Sequence, residues 1–383
     1  MGTRSRSRLA WGLGLCAAAA LGLLAQHVGR QLRRSGPVSE TGTFPHEHWE
    51  ERHPELLGLD AGRLDAFARH LGGEGVIVRR GYLAHAWGDA SERSDVASVV
   101  KTVYTFFLQL AVAEGRLASV DERVVRFAPC LDTIDAELGH KDRDISFRHL
   151  ANQTSGYGMR ERPGEAFGYG DRPAALLADA LFLGVWGAAG WSDVDEQVLE
   201  PRLGAVLGFQ DAPTLLAFGT HERPGRLAIS VRDLARFGLL FLREGGWDGR
   251  RVLPAGVVRE LVGSPLPNSI PRTAGIPAET CPGQRSLGSP DPAESENQTD
   301  HLGSYSWMWW TNGVDRGGRR TWPDAPLDTF LACGHQNCRR ALVVLPGLDA
   351  VLAWNGTRLH RSGRSREETV NDALLRFGEA VVE

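Results

Sequence analysis

The chain has 383 residues, 42% hydrophobic and 23% charged, with 43 Lys+Arg against 47 Asp+Glu and a formal charge of −4. That balance leaves no basic footprint for nucleic acid and no acidic tail, and the dispersed 46 Gly and 20 Pro exclude collagen-like or low-complexity fibres. The length suits one large globular domain or two intimate ones. Of the 43 basic residues only Lys101 and Lys141 are lysine. A lysine kept where arginine serves everywhere else is a candidate for chemistry that arginine cannot do.

In chain order, Arg4, Arg6 and Arg8 precede an apolar stretch over 9–25, and Arg30, Arg33 and Arg34 follow it. Residues 1–36 therefore read as a signal peptide or an N-terminal membrane anchor, and the chain is expected to be exported: membrane-anchored, periplasmic or extracellular. Residues 37–55, polar with Pro37, Pro45 and Pro54, read as a linker, and 56–383 as the folded domain. The spacing of Leu64, Phe67, Ala68 and Leu71 predicts a helix over 60–71. Short strands over 76–79 and 82–87 follow, joined through Arg80-Gly81. The stretch 98–114 is apolar all round, with Val99, Val100, Val103, Phe106, Phe107, Leu110 and Val112, and predicts a helix buried in mid-domain. Further helices are predicted over 173–183, over 231–244 with Ser230 as its cap, and over 367–382. Two apolar runs, 341–345 and 350–354, flank Pro346-Gly347-Leu348-Asp349 and predict a second hairpin. Residues 264–304, rich in Pro, Ser, Gly and Asn, read as a long surface loop. Strands at both ends form one sheet only if the termini meet, which leaves the middle of the chain as a helical lobe.

With Cys16 set aside in the leader, Cys130, Cys281, Cys333 and Cys338 remain. In an exported chain they can form two disulfides in any of three pairings. Cys333, His335 and Cys338 also make a C-x-H-x-x-C cluster. Zinc needs four ligands, or three and a water, and no second Cys/His pair lies nearby, so a disulfide or buried thiols is the reading and no metal is expected.

The chemical centre of the sequence is Ser98-Val99-Val100-Lys101. Positions i and i+3 share a helix face, so Ser98 and Lys101 can meet. A serine hydroxyl needs a neighbouring base to become a nucleophile. Lysine can be that base if burial lowers its pKa, and the Val- and Phe-rich helix supplies the burial. Ser98 at the helix start also lies beside unpaired N–H groups that favour developing negative charge. Lys141, in the charged turn His140-Lys141-Asp142-Arg143-Asp144, reads as solvated surface.

Around this pair the residues resemble the serine β-lactamase and penicillin-binding-protein superfamily, in its class C-like branch of esterases, D-aminopeptidases and 6-aminohexanoate-oligomer hydrolases. Val76-Ile77-Val78-Arg79-Arg80-Gly81-Tyr82, Ala97-Ser98-Val99-Val100-Lys101-Thr102, Leu150-Ala151-Asn152-Gln153-Thr154-Ser155-Gly156, Pro163-Gly164-Glu165-Ala166-Phe167-Gly168-Tyr169 and Ser230 to Gly238 follow the family's order, over roughly 60–380. The resemblance implies an α/β fold of the β-lactamase/transpeptidase type: an antiparallel sheet flanked by terminal helices, beside a mostly helical lobe. It implies Ser98 as acylated nucleophile, Lys101 as proton acceptor and Tyr169 as the tyrosine that shuttles a proton to the leaving group.

Two motifs depart from the family. Its usual Tyr-x-Asn or Tyr-x-Ser is here Tyr169-Gly170-Asp171, so Asp171 puts a carboxylate where an amide would contact substrate and should disfavour substrates with a nearby carboxylate. The third motif is altered to Cys333-Gly334-His335-Gln336-Asn337-Cys338, which resembles the Gly-His-Gly-Gly-Gln form of the esterase and oligomer-hydrolase branch and assigns Gly334 and His335 to substrate binding. In Tyr305-Ser306-Trp307-Met308-Trp309-Trp310, Trp309 or Trp310 is expected at the cleft, the rest in the core.

The expected activity is that of an exported serine hydrolase acting on an ester or amide, an esterase or amidase rather than a β-lactamase. A non-catalytic binding or sensor domain of the cell envelope is the alternative. No G-x-S-x-G elbow supports an α/β-hydrolase. No P-loop or dinucleotide fingerprint appears, so no organic cofactor is implied. The partners expected are a small-molecule or peptide substrate and, if the leader is uncleaved, the membrane.

Overall fold

The structure, a computed structural model, describes residues 43–220, 223–288, 298–361 and 363–382. The expected leader over 1–36 lies outside the described residues. Among the described residues no helix is long and apolar enough to cross a membrane.

The chain enters through helix α1 (Ala61–Leu71), capped by the Asp60 carboxylate, which accepts from the Arg63 N–H. Strands β1 (Glu74–Arg79) and β2 (Tyr82–Trp87) form the first hairpin. After a 3₁₀ turn, Ala97–Val99, comes the central helix α2 (Val100–Ala113), whose residues from Val100 to Ala111 are all buried. Its apolar side chains contribute about 1.5–3 kcal/mol each on burial. Helix α3 (Asp171–Asp179) continues as a π-helical turn, Ala180–Val185. Helix α4 (Val231–Leu242) starts at Ser230, whose hydroxyl accepts from the Asp233 N–H, and α5 (Ala255–Gly263) follows. The C-terminal third supplies β3 (Tyr305–Ser306), β4 (Trp309–Thr311), β5 (Phe330–Gly334), β6 (Arg340–Leu345) and β7 (Ala350–Asn355), and then α6 (Arg366–Ala380).

The seven strands make one antiparallel sheet in the order β2-β1-β7-β6-β5-β4-β3. Strands from the two ends of the chain meet where β1 pairs with β7, Ile77 opposite Leu352. Alternate residues of β7 face opposite sides. Trp354 packs against Phe67 of α1, which also meets Phe377 of α6, so both terminal helices cover that face. Val351 and Leu342 look the other way, onto α4. There a Cβ on Gly238 would lie 2.6 Å from Val351 and 2.7 Å from Leu342, so glycine sets how closely the helix approaches the sheet.

One expectation is corrected. Lys141 is not solvated: it is 1% exposed, its ammonium pairs with Asp142 and Asp135, and it donates to the Gly156 carbonyl at 3.0 Å. Two carboxylates and a carbonyl around one buried ammonium make this charged turn an interior joint. The segment 264–304 holds no helix or strand among its described residues, most of which are exposed or partly exposed, while Cys281, Leu287 and His301 within it are buried. The segment lies against the helical lobe through bridges from Arg272 to Phe167 and from Pro277 to Met159, and through a disulfide between Cys281 and Cys130. Cys333 pairs with Cys338.

Candidate active site

Ser98 sits in the 3₁₀ turn that opens α2, half-buried at the floor of a cleft of about 800 Å³. The residue before it, Ala97, holds a left-handed backbone (φ 50°), a conformation that costs an L-residue energy and recurs at functional turns. Against this turn runs the end of β5. A Cβ on Gly334 would lie 2.4 Å from the Val96 carbonyl oxygen, so only glycine lets the strand end approach the nucleophile turn so closely.

One helical turn on, Lys101 is 1% exposed. Its Nζ donates to Ser98 Oγ at 3.1 Å, to the Tyr169 hydroxyl at 3.3 Å and to Asp171 Oδ1 at 2.6 Å. Tyr169 is fixed from both sides by Gln153. The Gly168 N–H donates to the Gln153 carbonyl at 2.9 Å, and the Gly170 N–H to its side-chain oxygen at 2.8 Å. The Tyr169 ring packs edge-on against Tyr305 and tilted against Trp310. Asp171 opens α3, and its Oδ2 accepts from Gln298 Nε2 at 3.3 Å. Gln153 lies inside the 150–156 stretch read from the sequence. Gln298 carries no local signal, since only the fold brings it to Asp171.

The electrostatics reverse one expectation. Burial alone pushes the Lys101 ammonium toward neutrality, as the sequence reading has it. The Asp171 carboxylate, with the Tyr169 oxygen, outweighs burial and holds the Lys101 pKa above the ordinary lysine value. Burial pushes Asp171 up, but the Lys101 ammonium prevails and holds its carboxyl below the usual carboxylate range. The resting pair is ammonium and carboxylate.

His335 is exposed, lines the cleft and opens the turn 335–338. The Cys333–Cys338 disulfide closes that turn, with Gln336, Asn337 and Cys338 all left-handed, so neither cysteine has a thiolate to offer a metal. Trp310 lines the cleft, and the Arg366 guanidinium lies 3.8 Å over its ring. Trp309 does not line it. As the neighbour on the same strand it faces the opposite side and packs in the core on Phe237, Phe241 and Phe330.

Four arginines on the wall had no motif to announce them. Arg226 makes a two-pronged pair with Asp95, at 3.0 and 2.6 Å, and Arg366 pairs with Glu367. Arg223 donates to the Gly288 carbonyl and lies over Phe218. Arg340 has a buried Nε with no hydrogen-bond partner, and its pKa is lowered by burial and by Arg339 and Arg226. With Asp171 neutralised by Lys101, the described cleft carries a surplus of positive charge from Arg223 and Arg340.

A comparison of the sequence with curated proteins finds no match. Solved structures share the fold. One from Bacillus anthracis, provisionally described as a 6-aminohexanoate-dimer hydrolase, is 14% identical with a TM-score of 0.57, over 88% of this chain and 89% of that one. A penicillin-binding protein homologue from Caulobacter crescentus is 12% identical with a TM-score of 0.55, over 86% and 98%. EstCE1, a hydrolase with promiscuous acyltransferase activity, is 14% identical with a TM-score of 0.54, over 84% and 99%. The β-lactamase family model matches residues 64–327. That match spans well over half the chain, and the sheet, the lobe and the Ser-x-x-Lys turn agree with it: this chain belongs to the β-lactamase family of serine hydrolases.

Proposed function

We propose that the protein cleaves an ester or amide bond through an acyl-enzyme on Ser98, with Lys101 and Tyr169 moving the protons. One observation carries the reading: a single buried amine reaches both the Ser98 and Tyr169 hydroxyls, at 3.1 and 3.3 Å, on the floor of a cleft. In this scheme Ser98 Oγ bonds to the carbonyl carbon and its proton passes into the lysine–tyrosine pair. Tyr169, which lines the cleft, returns a proton to the leaving oxygen or nitrogen. Water then attacks the acyl-enzyme, gives up its proton by the same route, and releases the acid. The Ser98 N–H, in the 3₁₀ turn that leads into α2, and the backbone at the end of β5 are the donors for the developing oxyanion.

The surplus of arginine in the cleft favours substrates bearing a carboxylate, against the expectation drawn from Asp171 alone. His335, Gly334 and Trp310 are assigned to the substrate-binding wall. Export is part of the proposal and is supported by the basic-apolar-basic pattern over 1–36 and by two disulfides, which persist in oxidising compartments.

The test is covalent labelling by a fluorophosphonate probe, read by mass spectrometry of the modified peptide. Labelling on Ser98, lost in Ser98→Ala, is expected; equal labelling of that variant overturns the reading. A second reading, a binding domain without turnover, draws on the Lys101–Asp171 ion pair, which occupies the base. It requires no product burst with p-nitrophenyl acetate, and turnover abolished by Lys101→Ala rejects it.

A further inference from the structure

Lys101 spends all three ammonium hydrogens on three acceptors, Ser98 Oγ, the Tyr169 hydroxyl and Asp171 Oδ1. An ammonium in that state donates to the serine and has no lone pair with which to accept from it. The shortest of the three contacts, 2.6 Å, goes to Asp171, whose other oxygen is held by Gln298 at 3.3 Å. We infer that Asp171 decides when Lys101 can serve as a base, keeping the amine protonated so that Ser98 is armed only after one proton has left the Lys101–Asp171 pair. The inference rests on the acyl-enzyme reading above.

Arming removes one proton from Lys101 to solvent and leaves a neutral amine with its lone pair toward Ser98 Oγ. In acylation Oγ forms its bond to the carbonyl carbon, the carbonyl π pair moves to oxygen, and the serine proton lands on Lys101. The ammonium is thereby restored beside Asp171. The same carboxylate therefore opposes arming and stabilises the ammonium formed during attack.

The other groups facing this pair do not take the part of Asp171. Tyr169 offers Lys101 a hydroxyl rather than a carboxylate, and burial raises the pKa of Tyr305 packed behind it. Tyr104, on α2, donates its hydroxyl to the Gly225 carbonyl. Arg226 is engaged by Asp95, and Arg366 by Glu367. Among the described residues Asp171 is the one carboxylate in ion-pair contact with Lys101.

The experiment is the pH dependence of Ser98 labelling by a fluorophosphonate, in wild type, Asp171→Asn and Asp171→Glu. Wild-type labelling is expected still to climb with pH at pH 9; a plateau reached below pH 7 overturns the inference without any variant. Asp171→Asn removes the charge at nearly constant shape and should move the rising limb at least one unit toward acid. On a limb that climbs tenfold per unit, this is about tenfold faster labelling at pH 7. Asp171→Glu, which keeps a carboxylate, should retain the wild-type limb. A folded Asp171→Asn protein, checked by circular dichroism, that labels no faster than wild type at pH 7 overturns the inference. If that variant does not fold, the wild-type profile decides. Absence of Ser98 labelling in every protein at every pH sinks the acyl-enzyme reading itself, and this inference with it.

Discussion

Arg340 brings a cation to the cleft from the first position of β6, with its Nε buried and unpartnered. A half-buried cation with no carboxylate in direct contact is costly, and burial with the neighbouring Arg339 and Arg226 lowers its pKa against the opposing pull of Asp95. A carboxylate on the substrate would relieve that cost. Arg340→Ala should therefore raise KM about tenfold for an ester substrate carrying a carboxylate and leave a neutral ester of the same size nearly unchanged, since a hydrogen bond to a charged group contributes about 1.5–3 kcal/mol. Equal effects on the two esters, measured side by side, would remove Arg340 from recognition. The scarcity of lysine gains its physical sense here as well. Both lysines are 1% exposed and each is surrounded by acceptors. A compact ammonium can satisfy three acceptors at one point, which the wide, flat guanidinium cannot.

The Cys130–Cys281 disulfide joins the helical lobe to the irregular segment that ends in Gln298 and His301, across a sequence separation of 151. Cross-linking so long a loop restricts the unfolded chain, and replacing both cysteines by alanine should cost about 2–5 kcal/mol in chemical denaturation. Because the Gln298 side chain donates to Asp171 and its N–H to the Tyr169 carbonyl, loss of the cross-link should also slow Ser98 labelling. Stability lost with the labelling rate of the folded protein unchanged would confine the disulfide to a structural part. Local and long-range order differ in the same way in what the sequence reveals. The Ser98–Lys101 pair is legible because both residues lie on one turn, and the β1–β7 pairing because short apolar runs at both ends need partners. The ion pair that reverses the charge logic of Lys101 joins residues 70 apart, and the meeting of Arg226 with Asp95 spans 131. Neither separation leaves a periodic trace. Alternation along β4 says that Trp309 and Trp310 face opposite ways; which of them meets the cleft is settled by α4, whose Phe237 and Phe241 claim Trp309.

At the scale of the whole molecule, stability against pH is shaped by buried carboxylates, and Asp142 is the clearest case. Burial, aided by the neighbouring Asp135, pushes its carboxyl up to about 7, against the opposing pull of Lys141. In the unfolded chain the same group titrates near the ordinary aspartate value of about 4. Between those two values the native protein keeps a proton that the unfolded chain has released. Protons bound to the native state alone stabilise it less as pH rises, so this group's contribution is full below about pH 4 and lost as pH climbs toward 7. Other groups, Asp171 among them, act with the opposite sign, so the readout must isolate Asp142. Asp142→Asn removes the titration while keeping the size of the side chain. Unfolding free energies of the two proteins, measured in denaturant at intervals from pH 4 to pH 9, should diverge in the variant's favour by roughly 1 kcal/mol per pH unit up to about pH 7. Above that the difference should stay constant. A constant offset over the whole range would mean that Asp142 is ionised throughout, held by Lys141 as a permanent ion pair. The turn that joins the helical lobe to the 150–156 stretch beneath Tyr169 would then be pinned by charge at every pH, rather than loosened as the medium turns from acid to neutral.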